Sequence, residues 1–351
     1  MMQKKIVQSF FSLLLLLCGL VLHAQDVTFS QFLYSPSYYN PAATGIDVGL
    51  LGTLNYRRAL MYMPSKFETY AFGLDQSMHD TELKGLGGVG LFMIKNQEGE
   101  GNLSTLAFGV PISARVDLTE NWILQAGVAP VIYQKTINWN NLVFSDQLNP
   151  YYGIDHNIQS AALLDAVPSV NFFDFDVGLW ARHESDPSQQ SNVQNDVFDI
   201  GISIQHIPEP NQSFFIQKSR LPSKYVLMAR YSHSISDYRL LESKIQPVFL
   251  FESQGPMQDF VFGANYVRPG LNLGAFFRRE QNSLLKFSEL IFMTGVDLNL
   301  NNDLFSSIRF NYSVDFFLST NKAKGNLSHE VSLIFHLPSI HSKRSPCRMF
   351  F

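Results

Sequence analysis

The chain has 351 residues, a formal charge of −4 and a mildly acidic balance of 26 basic against 30 acidic side chains, which gives no reason to expect nucleic acid as a partner. Its two cysteines, Cys18 and Cys347, cannot build a disulfide framework. Thirty phenylalanines and fourteen tyrosines, with no second apolar run of the roughly 20 residues a membrane helix needs, leave an outer-membrane barrel or a large periplasmic β-sandwich.

Lys4 and Lys5 precede an apolar run over 6–22, and Ala24 offers a small residue before Gln25. This pattern predicts a secretory signal peptide, residues 1–24, cleaved after Ala24. A lipoprotein signal ending at Cys18 is the rival, but Leu17 is bulky where such cleavage wants a small side chain. Residues 25–45 follow neither a period of two nor one of 3.6, because aromatics and prolines crowd them. They are expected to form an irregular plug against a lumen wall, since Tyr34, Tyr38 and Tyr39 would otherwise expose apolar surface. An ordered lid over the first hairpin is the alternative.

From residue 46 to the end the chain alternates, and 46–351 is read as an outer-membrane β-barrel with a C-terminal tail. Ile308, Phe310, Tyr312, Val314 and Phe316 share one face of a strand, and Arg309, Asn311, Ser313 and Asp315 the other. Leu106, Phe108, Val110 and Ile112 divide in the same way from Thr105, Ala107, Gly109 and Ser113, as do Leu271, Leu273, Ala275 and Phe277 from Asn272, Gly274 and Arg278. By this rule strands lie near 48–57, 66–75, 88–95, 104–115, 122–135, 170–182 and 197–207. Seven more lie near 224–233, 244–253, 259–267, 271–279, 287–298, 306–318 and 329–337. The fold class is therefore all-β, a transmembrane antiparallel barrel of about 14 strands, an even number as a single-chain bacterial barrel requires.

Short turns at 117–121, 268–270 and 299–303 fall on the periplasmic side if the chain enters from there, and the long connection 136–169 falls outside. The polar connection 183–196 breaks this pattern, either as a miscounted strand or as an inserted loop. In the last strand Val331, Leu333, Phe335 and Leu337 point outward, and the chain ends in Phe350-Phe351 beyond a basic tail.

Few residues invite chemistry. His206 stands just before a proline-rich turn with no second His or Cys at ligand spacing, so a hydrogen-bonded histidine at the rim is preferred to a base or metal ligand. His329 and Glu330 are adjacent on a strand and point to opposite faces. Asp174 and Asp176 share a face, as paired acid and base residues would, but a hydrated polar lumen explains them more simply. Asp146 and Gln147 in the long connection are expected to bond their own backbone. Glycines 85, 87, 88 and 90 lack the following helix of a phosphate cradle. The residues supply no catalytic, cofactor or metal site.

Several short blocks, ordered along nearly the whole mature chain, resemble the PorP/SprF outer-membrane proteins of the Bacteroidetes type IX secretion and gliding system. They are Phe29-Ser30-Gln31-Phe32 with Tyr39-Asn40-Pro41-Ala42 and Gly45, the stretch from Asn141 to Asp146-Gln147, and Gly201, Ser203 and His206 with Pro210, Asn211 and Ser213. Leu221-Pro222 with Tyr225, Gly274 with Arg278, Ser313-Val314-Asp315, and His329-Glu330 complete the set. Val314 stands where the family has an aromatic, and the 183–196 insert is long for it. The resemblance implies a non-enzymatic barrel, free of cofactors and embedded in outer-membrane lipid. It would help a cognate adhesin with a type B C-terminal domain to cross the membrane and stay attached, and would contact the periplasmic ring lipoproteins of the machinery. A wall of about 14 strands is too tight to pass a folded adhesin, since open channels need 16 to 18, which favours an anchor or adaptor. An outer-membrane channel or hydrophobic-solute transporter is the competing reading, and a hydrolase lacks a candidate constellation.

Overall fold

A computed structural model describes residues 26–337 apart from 64, 79–85, 150, 156–157, 186–195, 238–239, 282–287, 300–306 and 319–326. The expected leader, both cysteines, Gly85, the terminal Phe350-Phe351 and most of the polar insert lie outside the described residues. Among those described, fourteen strands make the wall. They are β1 (Leu50–Arg58), β2 (Phe67–Ser77), β3 (Leu86–Glu98), β4 in two pieces (Leu103–Gly109 and Ile112–Asp117), β5 (Trp122–Thr136), β6 (Ser169–Glu184) and β7 (Val197–Gln205). The wall continues through β8 (Lys224–Asp237), β9 (Leu240–Gln254), β10 (Met257–Arg268), β11 (Leu271–Gln281), β12 (Ser288–Asn299), β13 (Ser307–Phe317) and β14 (Leu327–Leu337).

Each strand pairs antiparallel with its neighbours in sequence, and β1 pairs with β14 from Leu50↔Leu337 to Arg58↔His329. The ring is thus closed and leaves no free edge, which is the condition for a sheet to cross lipid. β4 is one wall strand broken at Val110-Pro111, where proline has no N–H to give the ladder. The break stays bonded, because Gly90 N–H donates to the Pro111 carbonyl at 2.9 Å and Val110 N–H to the Pro130 carbonyl at 3.1 Å.

The period of two sorts the side chains as the sequence requires. On β13, Arg309, Asn311, Ser313 and Asp315 are buried in the lumen, while Phe310 and Phe316 are exposed on the outer surface. Strand bounds match expectation to within a few residues, with one informative exception. β7 stops at Gln205 rather than at 207, because His206 takes φ +58° and turns the chain inward. The connection after β6 lies at the same end as those after β4 and β10, so no strand was miscounted there. The two longest connections, 137–168 and 206–223, share the opposite end, which in outer-membrane barrels is the external one. Within the first, Leu148–Asn149 and Gly153–Ile154 form a small hairpin that alternation had not signalled.

The core sits inside the ring. Residues from Asp26 onward wind through the lumen as an extended piece, a 3-10 turn (Phe32–Tyr34), a helical turn α1 (Pro36–Tyr39) and a second 3-10 turn (Pro41–Ala43), before β1 begins. Phe29, Phe32, Tyr34 and Tyr39 are at most 1% exposed. Their rings meet edge to face with each other and with wall residues, as in Phe32 with Phe276 at 5.8 Å and Tyr38 with Phe92 at 5.7 Å.

Candidate functional site

Near the external end the segment is clamped by residues from both ends of the chain. The backbone N–H groups of Ser30 and Gln31 donate to the two oxygens of Glu330, at 2.7 and 3.1 Å. Asn55 donates to the same carboxylate at 2.7 Å, and Arg57 bridges Glu330 at 3.2 Å and Asp315 at 2.8 Å. Ser30 Oγ donates to Asp315 at 2.6 Å. The Gln31 amide gives one bond to the Glu330 carbonyl at 2.9 Å and one to Ser313 Oγ at 3.3 Å, and accepts one from Ser332. Arg278, paired with Glu289 at 2.9 Å, donates to the Phe29 carbonyl at 2.8 Å. Positions of one parity on β11 to β14 and on β1 present these wall groups inward, which is why the pattern Ser313-x-Asp315 works as a clamp.

Lower down, the wall makes room for the segment. Asn40 donates to the carbonyls of Leu179 at 2.9 Å and Ile202 at 3.0 Å while accepting from Ala42 N–H at 2.9 Å, and Ser203 Oγ donates to the Tyr39 carbonyl at 2.6 Å. Pro41 passes over Gly127 and Gly178, and a Cβ on Gly201 would lie 2.8 Å from the Asn40 amide and 2.2 Å from Trp180. Gly45, at φ +68°, donates its N–H to Asp75 at 2.6 Å and touches Gly88 backbone, where a side chain would have no space. At the other end Arg182, held by Asp199 at 2.7 Å, grips Asp47 at 2.7 Å and the Ile46 carbonyl at 3.3 Å.

His206 is the third fixture. It is buried rather than at the rim, and each ring nitrogen bonds a carboxylate, Nδ1 to Asp174 and Nε2 to Asp26 at the start of the described segment. Its backbone N–H donates to Asp176 at 3.0 Å. Burial alone would lower the imidazole pKa, but the facing Asp26 and Asp174 carboxylates outweigh it and raise it to about 10. Burial would raise the Asp26 carboxyl, yet His206 holds it well below the ordinary carboxylate range. Beside them Lys224 and Glu252 pair at 2.6 Å under the rings of Tyr38 and Tyr39. Beside this segment lies a cavity of about 20 Å³ lined by Tyr34, Tyr38, Phe92 and Asp75, room for a single water. The arrangement fastens the segment to the wall.

The family model for the type IX secretion system membrane protein PorP/SprF matches residues 21–335. The chain belongs to the PorP/SprF family. No curated protein matches the sequence. Solved structures of similar architecture include the Ralstonia pickettii toluene transporter TbuX, at 12% identity over 86% of this chain and 92% of that one, with a TM-score of 0.43. The P. putida toluene transporter TodX aligns at 11% identity over 89% and 95% with a TM-score of 0.44. The CymD monoaromatic hydrocarbon channel aligns at 12% over 92% and 95% with a TM-score of 0.45. Membership in a membrane-protein family, with a closed β-wall and a greasy exterior, makes this PorP/SprF protein an integral component of the outer membrane with a role in type IX secretion.

In this PorP/SprF protein the family-motif positions separate into two groups. Phe29, Ser30, Gln31, Tyr39, Asn40, Pro41, Gly45, Gly201, Ser203, His206, Asp315 and Glu330 all meet at the plug and its wall. The rest shape the external connections. Asp146 accepts from Ala161 N–H at 2.8 Å, which with the Ser160 side chain holds its carboxyl below the usual range, and Gln147 donates to the Ile158 carbonyl at 2.8 Å. Asn211 accepts from Ser219 N–H at 2.9 Å, Ser213 Oγ from Phe215 N–H at 3.1 Å, and the Pro210 carbonyl from Leu221 N–H at 2.9 Å. His329, like Tyr225, turns to the outer surface, where its ring stacks on Tyr312 and bonds its hydroxyl at 2.7 Å. Sequence reasoning did not join His206 to Asp174 and Asp176. The signal was the register of β6 against β7, in which Ile204 faces Val177 and the residues just above converge.

Proposed function

We propose that this protein is a non-catalytic adaptor and anchor of type IX secretion, serving a cognate adhesin through the adhesin's type B C-terminal domain. The observation that carries the reading is the segment from Asp26 to Asp47 packed in the lumen, which leaves the barrel surfaces to offer and no open conduit among the described residues. The leader 1–24 is removed on export, periplasmic ring lipoproteins of the machinery meet the inner end, and no cofactor is required. In the external connections Tyr151 and Tyr152, each 90% exposed, and Ile216, 81% exposed, offer large side chains to the surface, which favours a protein partner. Co-purification of the detergent-extracted protein with the adhesin's C-terminal domain tests this directly. A Tyr151→Ser, Tyr152→Ser double variant is expected to reduce capture at least about tenfold, the loss of two interface aromatics, and normal adhesin display in a deletion strain overturns the reading. A second reading, a channel for hydrophobic solutes, draws on the aromatic filling of the lumen. It requires steady flux or conductance in reconstituted membranes that rises when residues 25–45 are removed.

A further inference from the structure

Three carboxylates and one imidazole meet inside the wall with too little positive charge among them. Asp174, Asp176 and His206 are 0%, 4% and 1% exposed, and each offers a ligand atom within 4.8 Å of the others. Asp26 faces the far nitrogen of the same ring. Of the nearby ammonium groups, Lys224 pairs with Glu252, and Lys135 bonds the neutral Gln212 and lends its charge to Asp26. Asp176 carries the imbalance most plainly. Its hydrogen bond among the described residues is the one that Oδ1 accepts from His206 N–H, so on a side chain 4% exposed the second oxygen has no donor among those residues. Leaving such charge unneutralised is costly, and a bound cation is one of the few remedies.

We propose that Asp174, Asp176 and His206 form a divalent-cation site. Nδ1 of His206 faces Asp174, so this nitrogen and the two carboxylates are the ligands. Nε2 keeps its proton and donates it to Asp26, the carboxylate–histidine–metal arrangement that fixes ring orientation in metal sites. On binding, the imidazolium between the carboxylates releases its Nδ1 proton to solvent and the divalent ion takes its place, so the four groups gain one unit of positive charge. One imidazole and two carboxylates, with no thiolate, suit Zn²⁺ or Mn²⁺ rather than a soft ion. Asp174 and Asp176 belong to the wall and Asp26 to the plug, so the ion ties one to the other.

The test uses the full chain purified in detergent without a histidine tag, stripped with EDTA, loaded with Zn²⁺ and desalted. About one zinc per chain is expected, with a higher unfolding temperature than the stripped protein. Asp176→Asn and His206→Gln are each expected to lower zinc affinity at least about tenfold, with heat-modifiable gel migration confirming a folded wall. X-ray absorption of the zinc-loaded wild type serves where a variant does not fold, and a first shell with one imidazole is expected. No retained zinc in the wild type, wild-type retention in both folded variants, or a shell of two or more imidazoles such as half-buried His183 and exposed His233 would supply, overturns the site.

Discussion

Glu330 takes more donors than any other side chain of the clamp: two backbone N–H groups of the plug, the Asn55 amide and the Arg57 guanidinium. Glu330→Gln replaces an acceptor of charge −1 with a neutral group that is half donor, stranding Arg57 beside Asp315 alone. Breaking a buried pair of this kind costs about 3 kcal/mol, expected as a lower unfolding temperature and faster proteolytic release of the segment before β1. The bridge from His206 to Asp26 has a pH signature. With its pKa raised from 6.5 to about 10, His206 contributes fully below 6.5, and its share is lost as pH climbs through 10. Asp26, lowered from 3.8, contributes above that value and loses its share as acid protonates it. The groups facing the ring are Asp26, Asp174, Asp176 and the Tyr133 ring. In metal-free protein, protease release of the plug is expected to stay low from about pH 5 to 8 and to rise above about 10; release that rises between 6 and 8 contradicts the assignment. At this scale parity was legible and partnership was not. The sequence already placed His329 and Glu330 on opposite faces, whereas Asp174 and His206 met only through a hairpin register that no local pattern records.

The plug and the wall touch where the wall is bare. A Cβ on Gly127 would stand 2.3 Å from Ala42 N and 2.4 Å from the Pro41 carbonyl carbon, backbone atoms that cannot swing aside. Gly127→Ala is expected to displace the segment at a cost of about 1–3 kcal/mol, seen as rapid cleavage before β1 with the wall still resistant. Equal protease resistance in variant and wild type would refute that contact. Elements of strict alternation were readable nearly to their ends, since one lipid face and one lumen face impose the period along their whole length. Others obeyed local rules that alternation does not report. Pro111 splits β4 without disturbing its parity, and the Leu148–Asn149 hairpin is too short to show a period. The aromatic crowding of 29–39 marked the plug as irregular, but its winding is dictated by wall residues hundreds of positions away.

For the whole molecule, fourteen strands and a packed interior predict an electrically silent barrel. Planar-bilayer recordings of the intact protein are expected to show no steady conductance, and removal of residues 26–45 to produce it, because the wall would then enclose water in place of Phe32, Tyr34 and Tyr39. Conductance in the intact protein would contradict a sealed lumen. The ring itself was foreseeable from composition and period, since an exported chain this rich in aromatics and free of a second long apolar run has few other ways to satisfy its backbone. Its role came from ordered family blocks, and periodicity could not have supplied it.

The seat of Ser30 and Gln31 is assembled from the first strand and the last two. Until β14 zips against β1 that seat does not exist, so residues ahead of the first strand must wait for the last. An incomplete ring keeps an open throat and a dangling, cleavable arm before β1, and a finished one swallows it. Closure of the wall and stoppering of the pore are therefore one event, and the protein cannot become a leak by folding correctly.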